Sequence, residues 1–242
     1  MNEGIYIATS GSLMQERRLE VVTNNLANTG TVGYKGDRAI FESFLAESGA
    51  YVVPVDVKTD LSQGTMKPTG NELDIAIEGD GFFVVKTPND IRYTREGNLK
   101  LNKDNILVTQ RGYPILGEAG PIMVPSGMNI TISPNGEVLV GTGPDITPVD
   151  TLKIVDFSMS DLLEKEGEGL FNPPKEERPR EASKEARDVY VKQGFVEMAN
   201  VNPLREMVTM IDIQRGYESY QKVIQSIDGI NGKAVNEIAR VA

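Results

Sequence analysis

The sequence predicts an α+β protein, in which long N- and C-terminal helices form one helical layer and a central antiparallel all-β domain separates them along the chain. Three observations lead to this fold class. Apolar residues recur at helical spacing near the start of the chain. They recur more regularly near its end. Between the two ends, short apolar runs alternate with turn signals, which is typical of antiparallel strands.

The N-terminal helix is predicted over about residues 4–28, within a first segment of residues 1–35 that closes with an exit turn. The helix contains no proline, and Asn28-Thr29-Gly30 forms a helix stop. Ser12 and Gln15 interrupt its apolar stripe. The stripe fits a helix that packs against neighbouring subunits, and it also fits a terminal helix docked on its own domain. Its residues are Ile5, Ala8, Leu19, Val22 and Leu26.

The C-terminal helix is predicted over residues 201–242, with Asn202 as the N-cap and Pro203 as the first helical residue. An apolar seam with steps of three and four residues indicates packing against other helices. The seam consists of Met210, Ile213, Tyr217, Tyr220, Ile224, Ile227, Asn231, Ala234, Ile238 and Val241. A second apolar stripe would let the helix touch more than one neighbour; it consists of Leu204, Met207, Val208 and Ile211.

Asn231 is the polar residue of this seam, and Gly229 and Gly232 flank it. Each glycine weakens a helix by up to about 1 kcal/mol relative to alanine, so a bend is expected here. Asn231 fits two interpretations. It is either a buried residue that fixes the register between helices, or a solvated residue at the bend.

Residues 73–171 are predicted to form the antiparallel β domain. Asn135-Gly136 lies between two apolar runs and is a strong hairpin signal. Residues 36–72 are predicted to be an extended connector. Residues 172–200 begin with a proline-rich stretch of mixed charge and are predicted to be the connector that returns to the helical layer.

The composition excludes several classes of chemistry. The 242 residues include no Cys, His or Trp. Disulfides, thiolate metal sites and Ser-His-Asp or Cys-His catalysis are therefore impossible. We predict no catalytic residue, no metal site and no cofactor, and we interpret the protein as a structural subunit that is not an enzyme.

The net charge of −10 is unevenly distributed. Acidic and basic residues are equal in number in residues 1–35 and again in residues 204–242, so the whole excess of negative charge falls in residues 36–203. Charge-neutral ends can pack together densely, while an acidic middle stays solvated. No basic face for nucleic acid is expected.

The apolar runs are too short to span a membrane, which takes roughly 18 consecutive apolar residues. The N-terminus carries Glu3 and has no basic start followed by an apolar stretch. We therefore predict neither membrane insertion nor a cleavable signal peptide.

Four acidic residues, Glu72, Asp74, Glu78 and Asp80, form a possible cluster for glycoside chemistry. No aromatic sugar platform accompanies them, and a tight turn explains Glu78-Gly79-Asp80-Gly81 more simply. The alternative function from this cluster is a carbohydrate-binding or carbohydrate-acting β protein with a coiled-coil oligomerisation tail.

The segment Asn24–Lys35 (NNLANTGTVGYK) leaves the N-terminal helix through a stretch rich in asparagine and glycine. Such residues favour a tight, hydrogen-bonded chain reversal. The aromatic ring of Tyr34 would anchor the chain after it. The signature residues are Asn24, Asn25, Leu26, Ala27, Asn28, Gly33, Tyr34 and Lys35.

This segment resembles the N-terminal signature of flagellar rod and hook proteins. The resemblance extends nearly from end to end, and within the family it is greatest to proximal-rod members, with distal-rod members as the close alternative. Its further segments are Gln63–Lys67, Gly70–Asp74, Glu78–Phe83, Tyr93–Asn98, Gln193–Glu197, Asn200–Asn202 and Met210–Glu218.

The resemblance implies a subunit of the bacterial flagellar basal-body rod. It implies export in the unfolded state through the flagellar type III apparatus and assembly in the periplasm. It also implies that the terminal helices form the inner tube of a hollow rod, with copies of the chain and other rod proteins as partners. A secreted effector or adhesin subunit that uses the same export route is a further alternative.

Overall fold

The computed structural model describes residues 2–41, 44–45, 51–52, 55–142, 145–157, 163–172, 180–181 and 189–241. The chain forms two compact units. The helical unit comprises Met1–Ala27, Asp37–Lys58 and Val201–Ala242. The β unit comprises Asn28–Gly36 and Thr59–Asn200. The predicted α+β class is confirmed.

The helical unit is built on the helices α1 (Asn2–Ala27) and α2 (Pro203–Val241). Asn202 caps α2 as predicted, since its Oδ1 accepts hydrogen bonds from the backbone N–H groups of Leu204 at 3.0 Å and Arg205 at 3.3 Å. With 39 residues, α2 is about 58 Å long at 1.5 Å per residue. It continues as one helix through Gly229 and Gly232, and the bend expected there stays a prediction.

The two helices pack against each other in antiparallel orientation, and three glycines mark where they meet. Gly4 of α1 faces Ile227, Gly11 faces Tyr220, and Gln15 faces Gly216. In each pair the two residue numbers add up to 231, so the register is constant along the contact. Because glycine has no side chain, the two helices can approach each other closely at these positions.

Two short sheets complete the helical unit. Strand β1 (Asp37–Phe41) pairs with β4 (Val55–Thr59), and β2 (Phe44–Leu45) pairs with β3 (Tyr51–Val52).

The β unit contains the remaining strands, and every pairing recorded between them is antiparallel. They are β5 (Met66–Pro68), β6 (Ile75–Glu78), β7 (Phe82–Lys86), β8 (Ile91–Thr94), β9 (Lys100–Leu101), β10 (Leu107–Val108), β11 (Asn129–Ile132), β12 (Glu137–Thr142), β13 (Asp145–Thr151), β14 (Ile154–Asp156), β15 (Glu164–Gly167), β16 (Leu170–Asn172), β17 (Arg180–Glu181), β18 (Tyr190–Gln193) and β19 (Phe195–Glu197).

The largest sheet of the β unit has six strands in the order β15-β16-β8-β7-β14-β17. A second sheet has three strands in the order β11-β12-β13, and β10-β9, β18-β6 and β19-β5 are two-stranded. The predicted hairpin turn at Asn135-Gly136 is confirmed between β11 and β12. There the N–H of Gly136 donates to the carbonyl of Ser133 at 2.8 Å.

Two apolar clusters fill the β unit. The larger includes Ile75, Phe83, Leu107, Ile115 and Val138, each fully buried. The smaller is aromatic: Phe82 packs edge-on against Phe171 at 5.3 Å between ring centroids, and Tyr93 packs edge-on against Phe157 at 4.9 Å. Neither described helix is long and apolar enough to cross a membrane.

Candidate assembly interface

The predicted seam of α2 lies against α1 of the same chain. Ile213 is 1% exposed at the centre of this contact. Around it Met210, Tyr220, Ile224, Ile227 and Asn231 are half-buried, while Tyr217 is exposed. Ala234, Ile238 and Val241 belong to α2, but their side chains lie outside the described residues. The role of the seam between subunits stays a prediction.

The predicted stripe of α1 forms the other side of this contact. Ala8 and Val22 are buried, and Ile5, Leu19 and Leu26 are half-buried. Ser12 and Gln15 are buried as well, so they belong to the packed face that they seemed to interrupt. The position of Gln15 on the packed face depends on Gly216 of α2, which the sequence of α1 does not show. A Cβ atom there would lie 2.9 Å from Nε2 of Gln15, and its absence makes room for the polar side chain.

The second stripe of α2 faces away from α1 and is exposed. Leu204 is 72% exposed, Met207 46%, Val208 59% and Ile211 49%. These residues follow the spacing i, i+3, i+4, i+7, so they share one side of the helix. That side lies roughly opposite Ile213, as 3.6 residues per turn require.

A comparable outward surface lies on the first half of α1. Tyr6 is 68% exposed and Leu13 60%, and the two are one heptad apart. Both helices thus carry large apolar side chains that the rest of the chain leaves exposed.

Asparagines fix the two ends of the signature turn. The side-chain amide of Asn25 forms two bonds with the backbone of Asp37: its Nδ2 donates to the carbonyl at 2.8 Å, and its Oδ1 accepts from the N–H at 2.8 Å. The carbonyl of Asn28 accepts from the N–H of Thr31 at 3.0 Å. The Asn25 side chain and the backbone together thus hold this reversal.

Gly33 brings the chain against the β unit. Its φ of +69° lies in the left-handed region, where glycine is favoured. Its N–H donates to the carbonyl of Glu197 at 2.7 Å. A Cβ atom at this position would clash with the backbone carbonyl of Arg95, so only glycine fits.

Lys35, the last residue of the signature, ends in a buried ionic junction with Glu197 and Arg95. Lys35 Nζ lies 2.6 Å from Glu197 Oε1, and both side chains are at most 1% exposed. Arg95 Nη1 lies 3.2 Å from Glu197 Oε2. The Lys35 ammonium also donates to the carbonyl of Ser62 at 2.8 Å, and the N–H of Gly64 donates to Glu197 Oε1 at 2.8 Å.

Burial governs the electrostatics of this junction. Desolvation lowers the pKa of Lys35, and the attraction of Glu197 opposes that effect. Desolvation likewise lowers the pKa of Arg95, again against Glu197. Two cations therefore share one buried carboxylate, and Glu197 is the acidic residue that contacts both of them directly.

The neighbouring residues hold the same turn in place. Asn200 Oδ1 accepts from the N–H of Gly36 at 2.7 Å, and its Nδ2 donates to the carbonyl of Asp60 at 2.7 Å. The ring of Tyr34 is buried, with the ammonium of Lys165 at 4.3 Å from its centroid. Tyr34 is thus the anchor that the sequence indicated.

The four acidic residues that suggested a carbohydrate-binding or carbohydrate-acting protein each have different contacts and different exposure. Asp74 is buried and accepts from Asn71 Nδ2 at 3.1 Å. Glu78 forms an ion pair with Lys192 at 2.8 Å, and Glu72 and Asp80 are exposed.

The family of this chain follows from its similarity to known proteins. Residues 5–35 match the profile of the flagella basal body rod protein, residues 76–140 that of the flagellar hook protein FlgE/F/G D1 domain, and residues 192–237 that of the flagellar basal body rod FlgEFG protein C-terminal region. The flagellar basal-body rod protein FlgF of Caulobacter vibrioides is 30% identical over 255 residues, covering 100% of both chains. The chain belongs to the flagellar basal-body rod proteins.

Other rod proteins show the same full-length similarity. FlgG of Bacillus subtilis is 32% identical over 261 residues, covering 98% of this chain and 99% of its own. FlgF of Salmonella typhimurium is 31% identical over 246 residues, covering 97% of each chain. The chain is therefore a structural rod subunit of the FlgF or FlgG type and not an enzyme. Nothing in these comparisons supports the carbohydrate alternative.

Sequence reasoning did not bring Lys35, Arg95 and Glu197 together as one buried ionic junction. Each lies in a segment that carried the resemblance to rod and hook proteins, but the segments are far apart in the chain. A buried Lys paired with a buried Glu leaves no periodic pattern in a sequence, and the three charged residues look like ordinary surface residues.

Proposed function

We propose that the chain builds a hollow helical tube through its terminal helices, with copies of itself and other flagellar rod proteins as partners. In this proposal, residues 1–35 and 201–242 supply the helical assembly layer and residues 73–171 supply the β domain. Residues 36–72 and 172–200 connect them, and these connecting segments also add the strands β1–β5 and β17–β19 to the two units. The main support for the proposal is the exposed apolar stripe of α2. This stripe remains exposed after α1 and α2 have packed against each other, so it is available to a neighbouring subunit.

The charge distribution supports the same proposal. Residues 1–35 and 204–242 each carry equal numbers of acidic and basic residues, so many copies of the two helices can lie side by side without a growing repulsion. The net charge of −10 resides elsewhere in the chain. Contacts between subunits that do not close on themselves produce a filament, which is the form that a rod requires.

Within the rod we propose the proximal position of FlgF. The stretch between Phe44 and Gln63 is compact, whereas the corresponding stretch of the distal rod protein FlgG tends to be longer. This difference supports the proximal position. Electron cryo-microscopy of isolated basal bodies tests both levels of the proposal. We expect density for this chain in the proximal rod, with α1 and α2 lining the channel. Density in the distal rod would overturn the position alone, and helices that do not line the channel would overturn the tube.

We propose further that the chain reaches the periplasm through the flagellar type III export apparatus and keeps its N-terminus. The similarity of the chain to flagellar basal-body rod proteins over its full length supports this route. Mass spectrometry of rod-incorporated protein should find the first residues intact. Cells that lack the export apparatus should retain the chain, and its appearance outside the cytoplasm in those cells would contradict the route.

A further inference from the structure

The apolar surfaces on the backs of the two helices match in spacing. On α1, Tyr6 and Leu13 are one heptad apart and exposed. On α2, Leu204 and Ile211 are also one heptad apart and exposed. The surfaces lie on different helices and on opposite outer sides of the hairpin, so one chain cannot join them. A second copy of the chain can.

Charge favours the same pairing. No charged residue occurs in the α1 stretch from Gly4 to Gln15, which spans three helical turns. An exposed helix face normally carries charges, so a neutral one is suited to being covered. Between its two large residues, this face offers the small side chains Thr9 and Ser10. They leave space for Met207 and Val208 of a facing helix.

The register between the helices sets the distance between the surfaces. Because facing residues add up to 231, Tyr6 lies at the level of residue 225 and Leu13 at the level of residue 218. Ile211 and Leu204 are each 14 residues away from those levels. At 1.5 Å per residue, the two surfaces are offset by about 21 Å along the helix axis.

We propose that the α2 stripe of one copy packs on the Tyr6–Leu13 surface of the next copy, with Ile211 over Tyr6 and Leu204 over Leu13. The inference rests on the proposed function and adds the contact that links neighbouring subunits. Neighbours joined in this way are staggered by about 21 Å along their helices. The contact uses different surfaces on the two copies, so it repeats without closing.

The size of the contact explains why copies would join only during assembly. Six apolar side chains are far fewer than the roughly 20–30 residues per side of a stable interface. A single pair of copies therefore binds weakly. A subunit that is added to a growing rod gains such contacts with several neighbours at once.

Cysteine cross-linking tests the stagger, because the chain contains no cysteine of its own. The double variants Leu13→Cys/Leu204→Cys and Tyr6→Cys/Ile211→Cys are expressed as the sole copy in flagellated cells, and isolated basal bodies are oxidised. A disulfide within one chain is excluded, since an offset of about 21 Å exceeds the Cα separation of about 4.4–6.8 Å that a disulfide spans. We expect dimers and higher multimers on a non-reducing gel.

The matched control is Leu13→Cys/Ile211→Cys, which shifts the register by one heptad and should stay monomeric. Equal cross-linking of the control would overturn the stagger. Self-cross-linking of the single variant Val208→Cys would show a symmetric contact between two α2 stripes and would also overturn it. If the chain is found in basal bodies but neither test pair cross-links, the inference fails while the proposed function stands. If the unmodified chain is absent from basal bodies, the proposed function itself fails.

A charge exchange provides a second test. Leu13→Glu and Leu204→Lys should each lower incorporation at least about tenfold, and the two changes together in one chain should restore most of it. Double variants that incorporate no better than the single ones would count against the contact. Circular dichroism of each purified variant checks that the helices are retained.

Discussion

Lys35 and Glu197 form an ion pair of 2.6 Å that solvent does not reach. Lys35 comes shortly after the chain leaves α1, and Glu197 shortly before it reaches α2. The two connections to the helical unit are thus joined within the β unit by one carboxylate, which also binds Arg95.

Replacing Glu197 by alanine should destabilise the protein by about 3–5 kcal/mol, because it removes the carboxylate that both buried cations contact directly. The measurement is urea unfolding of the purified chain. The control is Glu78→Ala, which breaks an ion pair with Lys192 whose side chains are 45% and 41% exposed, and which should cost about 0–1 kcal/mol. Equal losses in the two variants would mean that burial does not set the strength of the junction.

Gly11→Ala should weaken the helix hairpin by about 1–3 kcal/mol, since the added methyl group overlaps the ring of Tyr220. Gly229→Ala adds the same methyl group to α2 where no atom lies within 4 Å, and it should stabilise the helix by up to about 1 kcal/mol. Thermal melts followed by the helical circular dichroism signal compare the two. Melting temperatures that change in the same direction in both variants would contradict the close approach of Tyr220 to Gly11.

The stability of the β unit should depend on pH through Glu96. Burial is the main cause that raises its pKa, and Glu168 adds to it, whereas Arg111 and Lys100 lower it. A carboxyl group with a raised pKa in the folded state contributes stability below its unfolded pKa, and this contribution is lost as the pH rises through the folded value.

Glu96→Gln should therefore be more stable than the original chain at pH 7, and the two should converge below about pH 4. Urea unfolding across this pH range gives the comparison. A difference that stays constant with pH would show that the effect does not come from ionisation. Glu118→Gln, which changes an exposed carboxylate, serves as the control.

Ile224→Asp/Ile227→Asp should abolish incorporation into the rod and leave the β unit folded. Both side chains are half-buried in the helical unit, and Ile227 Cδ1 faces Gly4, so two carboxylates there would separate the helices. Basal-body fractions show incorporation, and near-ultraviolet circular dichroism reports the aromatic core of the β unit. The control, Gln225→Asp/Ser226→Asp, adds the same charges at adjacent exposed positions. Normal incorporation of the first variant would refute the seam.

The terminal helices should gain order on assembly. Among the described residues of the helical unit, the buried apolar side chains are Ala8, Val21, Val22 and Ile213, a small core for two helices. Far-ultraviolet circular dichroism of a dilute monomer should show less helix than the 26 residues of α1 and the 39 of α2 together. A full helical signal at high dilution would contradict this expectation.

The helices and hairpins were predictable because local rules determine them. Asn202-Pro203 begins a helix wherever it precedes an amphipathic stretch, and Asn135-Gly136 makes a tight turn between two strands. Within the predicted β domain the sequence has short apolar runs at 73–77, 81–85, 105–108 and 137–140, and each of them overlaps a strand. A strand is indicated by the length of such a run or by the alternation of apolar and polar residues in it, and both can be seen within a few residues.

The buried polar contacts were not predictable in the same way. Gln15 seemed to break the apolar stripe of α1, because nothing near it in the chain shows that Gly216 faces it. Lys35 and Glu197 are 162 residues apart, so their pairing depends on the complete fold. Strand partners such as β18 and β6 are also far apart in sequence. Hydrophobic periodicity reports which side of an element is buried, but it does not identify the partner.

The constant register between α1 and α2 separates the two ends of the chain from everything between them. Gly4, Gly11 and Gly216 lock the helices in place by direct contact, and none of these contacts depends on the length of the intervening polypeptide. Residues can therefore be gained or lost between the helices without shifting Tyr220 away from Gly11. A single residue inserted between Gly4 and Gly11 has the opposite effect, since it turns one of these glycines by about 100° relative to the other, so that both can no longer face α2. The contact between the two helices therefore tolerates a change of length between them, and it does not tolerate one within them.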